Sequence, residues 1–343
     1  MCQHSRMYRP LPQSQELSEL KDLRTIVSNS SYFKMPDHVR VLSNKLVNGD
    51  AANAKYDGKS LGNLYAGSSG DHMEKLVGKW FLGSDRPVSD QPETKEKFKY
   101  EKANGSLFQN GVSYQDINQG YLNDCYFLAG LGEVAFRSPQ TIQNMFIDNG
   151  NSTNTYTVRF YVNGVADYVT VDKYLPVDKS GNFVYAQPGQ FNKKHFTDPN
   201  NELWVALAEK AYAQWNESGK IVRDNTNSYK GIEFGWDREV VKHITGRNST
   251  RSTSFDFNTM VSAFNSGSLM GVSSNPNASQ IDPKSRIAAN HVYVVVGYNS
   301  STQKFKLFNP WGMNDDVAGY NVGTFDISFN ELKANFSGWS RTT

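Results

Sequence analysis

The stretch Gln119-Gly-Tyr-Leu-Asn-Asp-Cys-Tyr-Phe-Leu-Ala-Gly130 joins a polar entry to an apolar run that opens on a cysteine. The run goes from Tyr126 to Leu131, and Val134, Ala135 and Phe136 continue it at helical spacing. Asn123 and Asp124, just before it, are both N-cap residue types. The pattern predicts a buried helix with Cys125 in its first turn. Unpaired backbone N–H groups and the positive dipole end favour a thiolate over a thiol there. Composition alone favours a plain core cysteine, so the choice rests on the rest of the chain.

With 343 residues the chain is long enough for two domains or one large one. Its 20 Phe, 18 Tyr and 6 Trp can fill a sizeable core. The 36 basic and 34 acidic residues nearly cancel, and no basic stripe marks a nucleic-acid or membrane surface. No apolar run approaches a membrane span, and the N-terminus has no signal-peptide core. Two cysteines, Cys2 and Cys125, make no disulfide framework, and Cys2 is expected exposed and unpaired. The expected setting is cytoplasmic by default, with export from a longer precursor left open. A monomer is expected.

Residues 1–95 read as a mostly helical extension with a scaffolding or regulatory role. Leu17, Leu20, Leu23, Ile26 and Val27 recur at helical spacing, as do Val39, Leu42, Leu46 and Val47. A third helix is predicted over Met73 to Phe81. The proline- and charge-rich segment from Asp85 to Asn104 reads as a linker or solvated strand. Beyond the Cys125 helix, Tyr156, Val158, Phe160 and Val162 alternate with polar residues, and Asn163-Gly164 marks a hairpin turn before Val165 to Val171. Asn201 to Trp215 is predicted as an amphipathic helix, with Glu202 and Glu209 interrupting its apolar stripe. Two more helices are expected within Tyr229–Thr245 and Phe255–Asn265.

His291 to Tyr298 and Gln303 to Phe308 read as two strands around an Asn299-Ser-Ser-Thr turn. A hairpin centred near Ser300 sets His291 opposite Asn309, with a slip of one or two residues left open. A cysteine at a helix start, a histidine on a strand and an asparagine on the next strand meet the needs of thiol acyl transfer. The histidine accepts the thiol proton to give a thiolate–imidazolium pair. The asparagine oxygen orients the ring. The Cys125 N–H and the Gln119 carboxamide are the obvious oxyanion donors. Trp311 is placed to shield the His–Asn bond from water.

These motifs resemble the calpain family of papain-like cysteine proteases. Gln119 to Ala129 looks like its nucleophile motif, Asn290-His-Val-Tyr-Val-Val-Val-Gly its histidine motif and Phe308-Asn-Pro-Trp-Gly its asparagine motif. Val171-Asp-Lys-Tyr-Leu-Pro and Glu202-Leu-Trp-Val-Ala-Leu-Ala-Glu-Lys-Ala-Tyr-Ala also resemble family segments, from about residue 100 onward. The resemblance implies an α+β fold, a two-lobed papain-like core. A helical lobe (96–225) would carry Cys125 and an antiparallel β lobe (226–343) His291 and Asn309. It implies an endopeptidase acting on protein substrates, with Cys125 as nucleophile, His291 as base, Asn309 as orienter and Gln119 as oxyanion donor.

The family is activated by calcium. One site carries over as the backbone carbonyls of Gln109 and Gly111 with the carboxylates of Asp116 and Glu202, hard oxygens that suit Ca²⁺. A second site would draw on Asp315, Asp316 and Asp326, whose alignment is not fixed, so calcium-independent activity stays open. Two departures stand out: Tyr126 replaces the family's usual Trp, and Asn290 its usual Gly. The Asn290 side chain is expected to narrow the substrate groove. No EF-hand loop occurs and no membrane-binding β-sandwich follows, so a minimal core is expected. The rival readings are a transglutaminase-type acyltransferase, disfavoured by Asn309 in place of an aspartate, and an inert calpain-like binding module.

Overall fold

The computed structural model describes residues 13–91, 96–150, 153–188, 194–278, 286–313 and 319–343. The chain divides into two compact units, Met1–Asp85 and Arg86–Thr343.

The first unit holds helices α1 (Gln13–Ser28), α2 (Asp37–Val47) and α3 (Gly70–Val77), with a short hairpin of β1 (Lys55–Tyr56) and β2 (Lys59–Ser60). Leu20, Val27, Leu42, Leu46 and Val47, at the positions the periodicity picks out, are buried. The third helix starts three residues earlier than its apolar stripe suggests, because Ser69 caps it by accepting from the His72 N–H at 3.2 Å. It ends in a π turn over Gly78–Leu82, which presents Trp80 to the interior. The indole N–H donates to Asn53 Oδ1 at 2.7 Å, and Lys79 and Asp85 form a buried ion pair at 2.6 Å. His72 Nε2 lies 3.0 Å from the Gly62 carbonyl, a structural contact.

In the second unit the proline-rich segment enters as strands: β3 (Asp90–Gln91), β4 (Glu96–Lys97) and β5 (Lys99–Lys102). Then come α4 (Cys125–Arg137), α5 (Pro139–Gln143), β6 (Phe146–Asp148), β7 (Thr155–Val162), β8 (Val165–Asp172) and β9 (Tyr174–Val177). Strand β5 pairs antiparallel with β9, and Arg86 binds Asp172 at 2.7 Å. Strands β7 and β8 form the expected two-residue hairpin, with Asn163 (φ 50°) and Gly164 (φ 79°) both left-handed, as a type I′ turn requires.

Helix α6 (Trp204–Asn216) is buried on every side, not amphipathic. Its central charged residues are bonded internally, while Gln214 Oε1 and Asn216 Oδ1 stay buried without a hydrogen bond. Lys210 pairs with Asp172 and donates to the Tyr174 carbonyl at 2.7 Å, and the Glu209 carboxylate accepts from the Ala186 N–H at 3.1 Å. The helix starts after Glu202, whose backbone bridges to Ser106 instead of forming a first turn.

Helices α7 (Asp237–Thr245) and α8 (Phe257–Asn265) flank β10 (Ser249–Ser252). Then follow β11 (Met270–Ser274), β12 (Val292–Asn299), β13 (Lys304–Phe308), β14 (Thr324–Ser328), α9 (Phe329–Asn335) and β15 (Phe336–Thr342). The strands form one antiparallel sheet in the order β10-β15-β11-β12-β13-β14. Met270, Val272, Tyr293, Val295, Phe305, Leu307 and Trp339 belong to its core, with α8 side chains packed against them. Segregated helices and an antiparallel sheet make the unit α+β.

Candidate active site

Cys125 is the first residue of α4, as its sequence predicts. Asp124 occupies the N-cap position but makes no side-chain cap bond. Its carboxyl is instead fully buried beside Glu209 of α6, an acid–acid pair that replaces the expected cap. Helix α4 sits close to its neighbours because of two glycines. A Cβ on Gly130 would lie 2.7 Å from Val240 of α7, and one on Gly132 would lie 2.9 Å from Val294 of β12.

His291 precedes β12, and Asn309 follows β13. They are not a cross-strand pair. The observed partners are Val294↔Phe308, Val295↔Leu307 and, past a bulge at Val296, Asn299↔Lys304. The loop spans four residues, Ser300 to Gln303, and Asn299 Oδ1 accepts from the N–H groups of Ser301 (2.9 Å) and Thr302 (3.2 Å). This moves the register by two to three residues, yet the side chains still meet: His291 Nε2 is 2.8 Å from Asn309 Oδ1.

The tautomer follows from the surroundings. Asn309 Oδ1 also accepts from the Trp311 N–H at 3.0 Å, and Asn309 Nδ2 donates to the Asn321 carbonyl at 2.6 Å. The amide orientation is thereby fixed, so Nε2 of His291 must donate to it and Nδ1 of the neutral ring is left as the acceptor. No hydrogen bond engages Nδ1 among the described residues. The Trp311 ring lies against the imidazole (centroids 4.7 Å apart), and Tyr293 meets it edge-on at 4.9 Å. Tyr293, which accepts from the Ala288 N–H at 2.9 Å, was not singled out in the sequence because it falls within the strand's apolar run.

Asn290 has φ 51°, a left-handed conformation open to Gly and tolerated by Asn, so a departure from Gly here keeps the backbone shape. Tyr126 donates from its hydroxyl to the Ile232 carbonyl at 2.7 Å, and the Arg223 guanidinium lies 4.7 Å over its ring.

The thiol faces the Val292 amide, and no hydrogen bond joins it to His291 among the described residues. Burial, with Asp124 and Asp237 adding to it, pushes the thiol up to about 12, although the Val292 and Tyr126 amides oppose the shift. Burial pulls His291 down to about 4 against the Asn309 bond. Burial thus works against charge on both groups, while the backbone amides at the thiol and the Asn309 bond at the ring work for it.

Gln119 is tied into the site at both ends. Its N–H donates to the Pro310 carbonyl at 2.9 Å, and its Nε2 donates to the Leu122 carbonyl at 2.6 Å, with Oε1 buried and unbonded.

Asp116 and Glu202 are both buried. Asp116 Oδ2 accepts from the Ser113 N–H (2.7 Å) and from Trp204 Nε1 (3.2 Å), while Glu202 Oε1 accepts from the Gln109 N–H (2.7 Å). Burial raises both carboxyls, and the Asp116 charge helps bring Glu202 to about 7. Gly111 has φ 94° and open space around it. Among the described residues no cluster of three or more His, Cys, Asp or Glu forms a metal site, so any ion here would rely on backbone carbonyls as well. Asp326 is engaged with Lys306 at 2.7 Å on the sheet surface. Asp315, Asp316 and Cys2 lie outside the described residues.

A helix-borne cysteine beside a His–Asn pair on an antiparallel sheet, within an α+β unit, defines a papain-like cysteine protease core. The family model described as calpain family cysteine protease matches residues 88–321, and the chain belongs to that family. It is 28% identical over 218 residues to rat Calpain-13, covering 59% of this chain and 30% of that one. It is 26% identical over 232 residues to Calpain clp-1 of Caenorhabditis elegans (62% and 27%) and 27% identical over 176 residues to the rice Calpain-type cysteine protease ADL1 (50% and 7%). The chain thus spans less than a third of the length of these relatives.

Proposed function

We propose that this chain is an endopeptidase that cleaves protein substrates with Cys125 as nucleophile, His291 as base and Asn309 as orienter. The observation that carries the reading is the 2.8 Å His291–Asn309 bond, which leaves Nδ1 as the ring's free acceptor. In the reaction the Cys125 proton passes to His291 Nδ1 as Sγ attacks the scissile carbonyl. The imidazolium then protonates the leaving amine, and water, deprotonated by the same ring, releases the acyl group. The Cys125 N–H and the second Nε2–H of Gln119, which turns from its long 3.5 Å contact with Asp124 Oδ1, serve the oxyanion. Trp311 keeps water from the His–Asn bond.

Replacing Cys125 with serine is expected to lower casein cleavage by about 10³-fold or more with the fold retained. Unchanged cleavage would remove the nucleophile assignment. Absence of cleavage in the parent protein, with or without calcium, would favour an inert binding module.

Asp116 and Glu202, with the carbonyls of Gln109 and Gly111, form the candidate Ca²⁺ site. The support is two buried carboxyls, the charge of Asp116 raising Glu202, with no basic side chain paired to either among the described residues. A bound Ca²⁺ would neutralise that charge. Calcium is expected to raise the thermal midpoint of the parent but not of Asp116→Ala. Equal midpoint shifts, or none in either protein, would dismiss the site.

A further inference from the structure

A cavity of about 1120 Å³ opens on the α7 side of the second unit, and neither Cys125, His291 nor Asn309 lines it. Its volume exceeds the roughly 300–1,000 Å³ of small-molecule sites. Lys220, Arg223, Lys242 and Arg247 line it, and among the described residues Glu239 is its one acidic lining residue. Glu239 is held by Lys242 at 3.2 Å and by Arg238 at 3.2 Å, and Lys220 binds Asp167 at 2.9 Å. Arg247 is exposed, and no hydrogen bond or ion pair engages its guanidinium among the described residues. His243, pulled down to about 4 by burial, adds no charge near neutral pH.

The rim is aromatic and strained. Phe234 is 70% exposed yet sits at φ 56°, a conformation a bulky side chain rarely adopts. The strain is imposed by neighbours. The Phe234 N–H donates to the Asn123 carbonyl at 2.9 Å, and its own carbonyl accepts from Arg223 at 2.8 Å. Gly235 has no room for a side chain, since a Cβ there would lie 2.1 Å from Arg223 and 2.7 Å from Tyr126. Trp236 follows, 44% exposed. Backbone strain that displays an aromatic side chain to solvent is a mark of a binding surface. Because Asn123 stands two residues before Cys125, this rim also reaches the start of α4.

We propose that the cavity is an exosite for an acidic, aromatic-bearing segment of a protein substrate. Its carboxylates meet Arg247, and its aromatic side chains pack on Phe234 and Trp236. The charge selects an anion, the rim selects rings, and the concave shape favours a peptide over a lipid surface. The purpose assigned to the site rests on the proteolytic reading, but its binding does not.

The test therefore uses the full chain carrying Cys125→Ser, with a short fluorescein-labelled peptide alternating Glu and Tyr as the anisotropy probe. Saturable binding is expected, weakened about tenfold by added Arg247→Glu and by added Phe234→Ala, retained with Arg247→Lys and weakened by salt. No saturable binding, binding indifferent to both changes, tighter binding of a Lys-Tyr peptide, or preference for phosphatidylserine vesicles would overturn the proposal. Casein cleavage by the parent protein is scored separately, so failure of the exosite and failure of the protease reading give different results.

Discussion

At the residue scale the site depends on one amide. Asn309 accepts from both His291 and Trp311 and donates to the Asn321 carbonyl. Replacing it with alanine removes one hydrogen bond from the Trp311 N–H and one from the Asn321 carbonyl and frees the imidazole to rotate. Cleavage is expected to fall about 100-fold, mainly in kcat, because the ring's orientation matters most when the proton moves. A kcat within about twofold of the parent would deny Asn309 its orienting role. Trp311→Ala keeps the amide and removes only the cover, so a smaller loss, about tenfold, is expected in the same assay. The residue types Cys, His and Asn were legible in the sequence because each is chemically distinctive. The desolvation that works against charge on the pair was not, because burial is a property of the packed chain.

At the scale of elements, reading succeeded where local rules govern and failed where distant partners do. The Asn163-Gly164 hairpin followed its turn type. The β12–β13 hairpin did not follow a symmetric centre, because a four-residue Asn299 loop and a bulge at Val296 each displace the register. Helix α6 looked amphipathic because acids and lysines normally face water. Here Lys210 finds Asp172 and Glu209 finds Asp124, partners far off in sequence. The glycines of α4 make a sharper case. In a helix a glycine costs about 1 kcal/mol relative to alanine, so Gly130 must be favoured by something else. Its close approach to Val240 supplies the reason. Gly130→Val is expected to destabilise the unit by about 2–3 kcal/mol, read from urea unfolding, since α4 and α7 cannot stay at this separation. A stability gain would mean that α7 moves aside freely.

At the scale of the whole molecule, acids buried beside other acids leave a signature in the pH dependence of stability. Burial raises Asp124 to about 7, and burial together with the Asp124 charge raises Glu209. A carboxyl with a raised folded pKa keeps its proton in the native state after the unfolded chain has released it. Its stabilising contribution is therefore complete at acid pH and is lost as pH rises through the folded value. The buried histidines act in the opposite sense: His291 and His243, pulled down to about 4, make stability rise with pH up to about 6.5. Lys210, lowered to about 8 by burial, makes stability rise again at higher pH. Between about pH 6.5 and 8 the acids are left to set the slope. Glu133, raised by burial and by Asp237, and Glu202 pull the same way as the Asp124 pair, so the parent curve alone cannot single that pair out. Glu209→Gln does so. It keeps an oxygen for the Ala186 N–H while removing one titrating group and the carboxyl that hydrogen-bonds Asp124. The parent is expected to lose stability across this window, and the variant to lose about 2 kcal/mol less, measured by urea unfolding at each pH. Parallel curves would show that Asp124 and Glu209 do not share a proton. A steeper fall in the variant would show that Asp124 needs the Glu209 carboxyl as a donor in order to ionise.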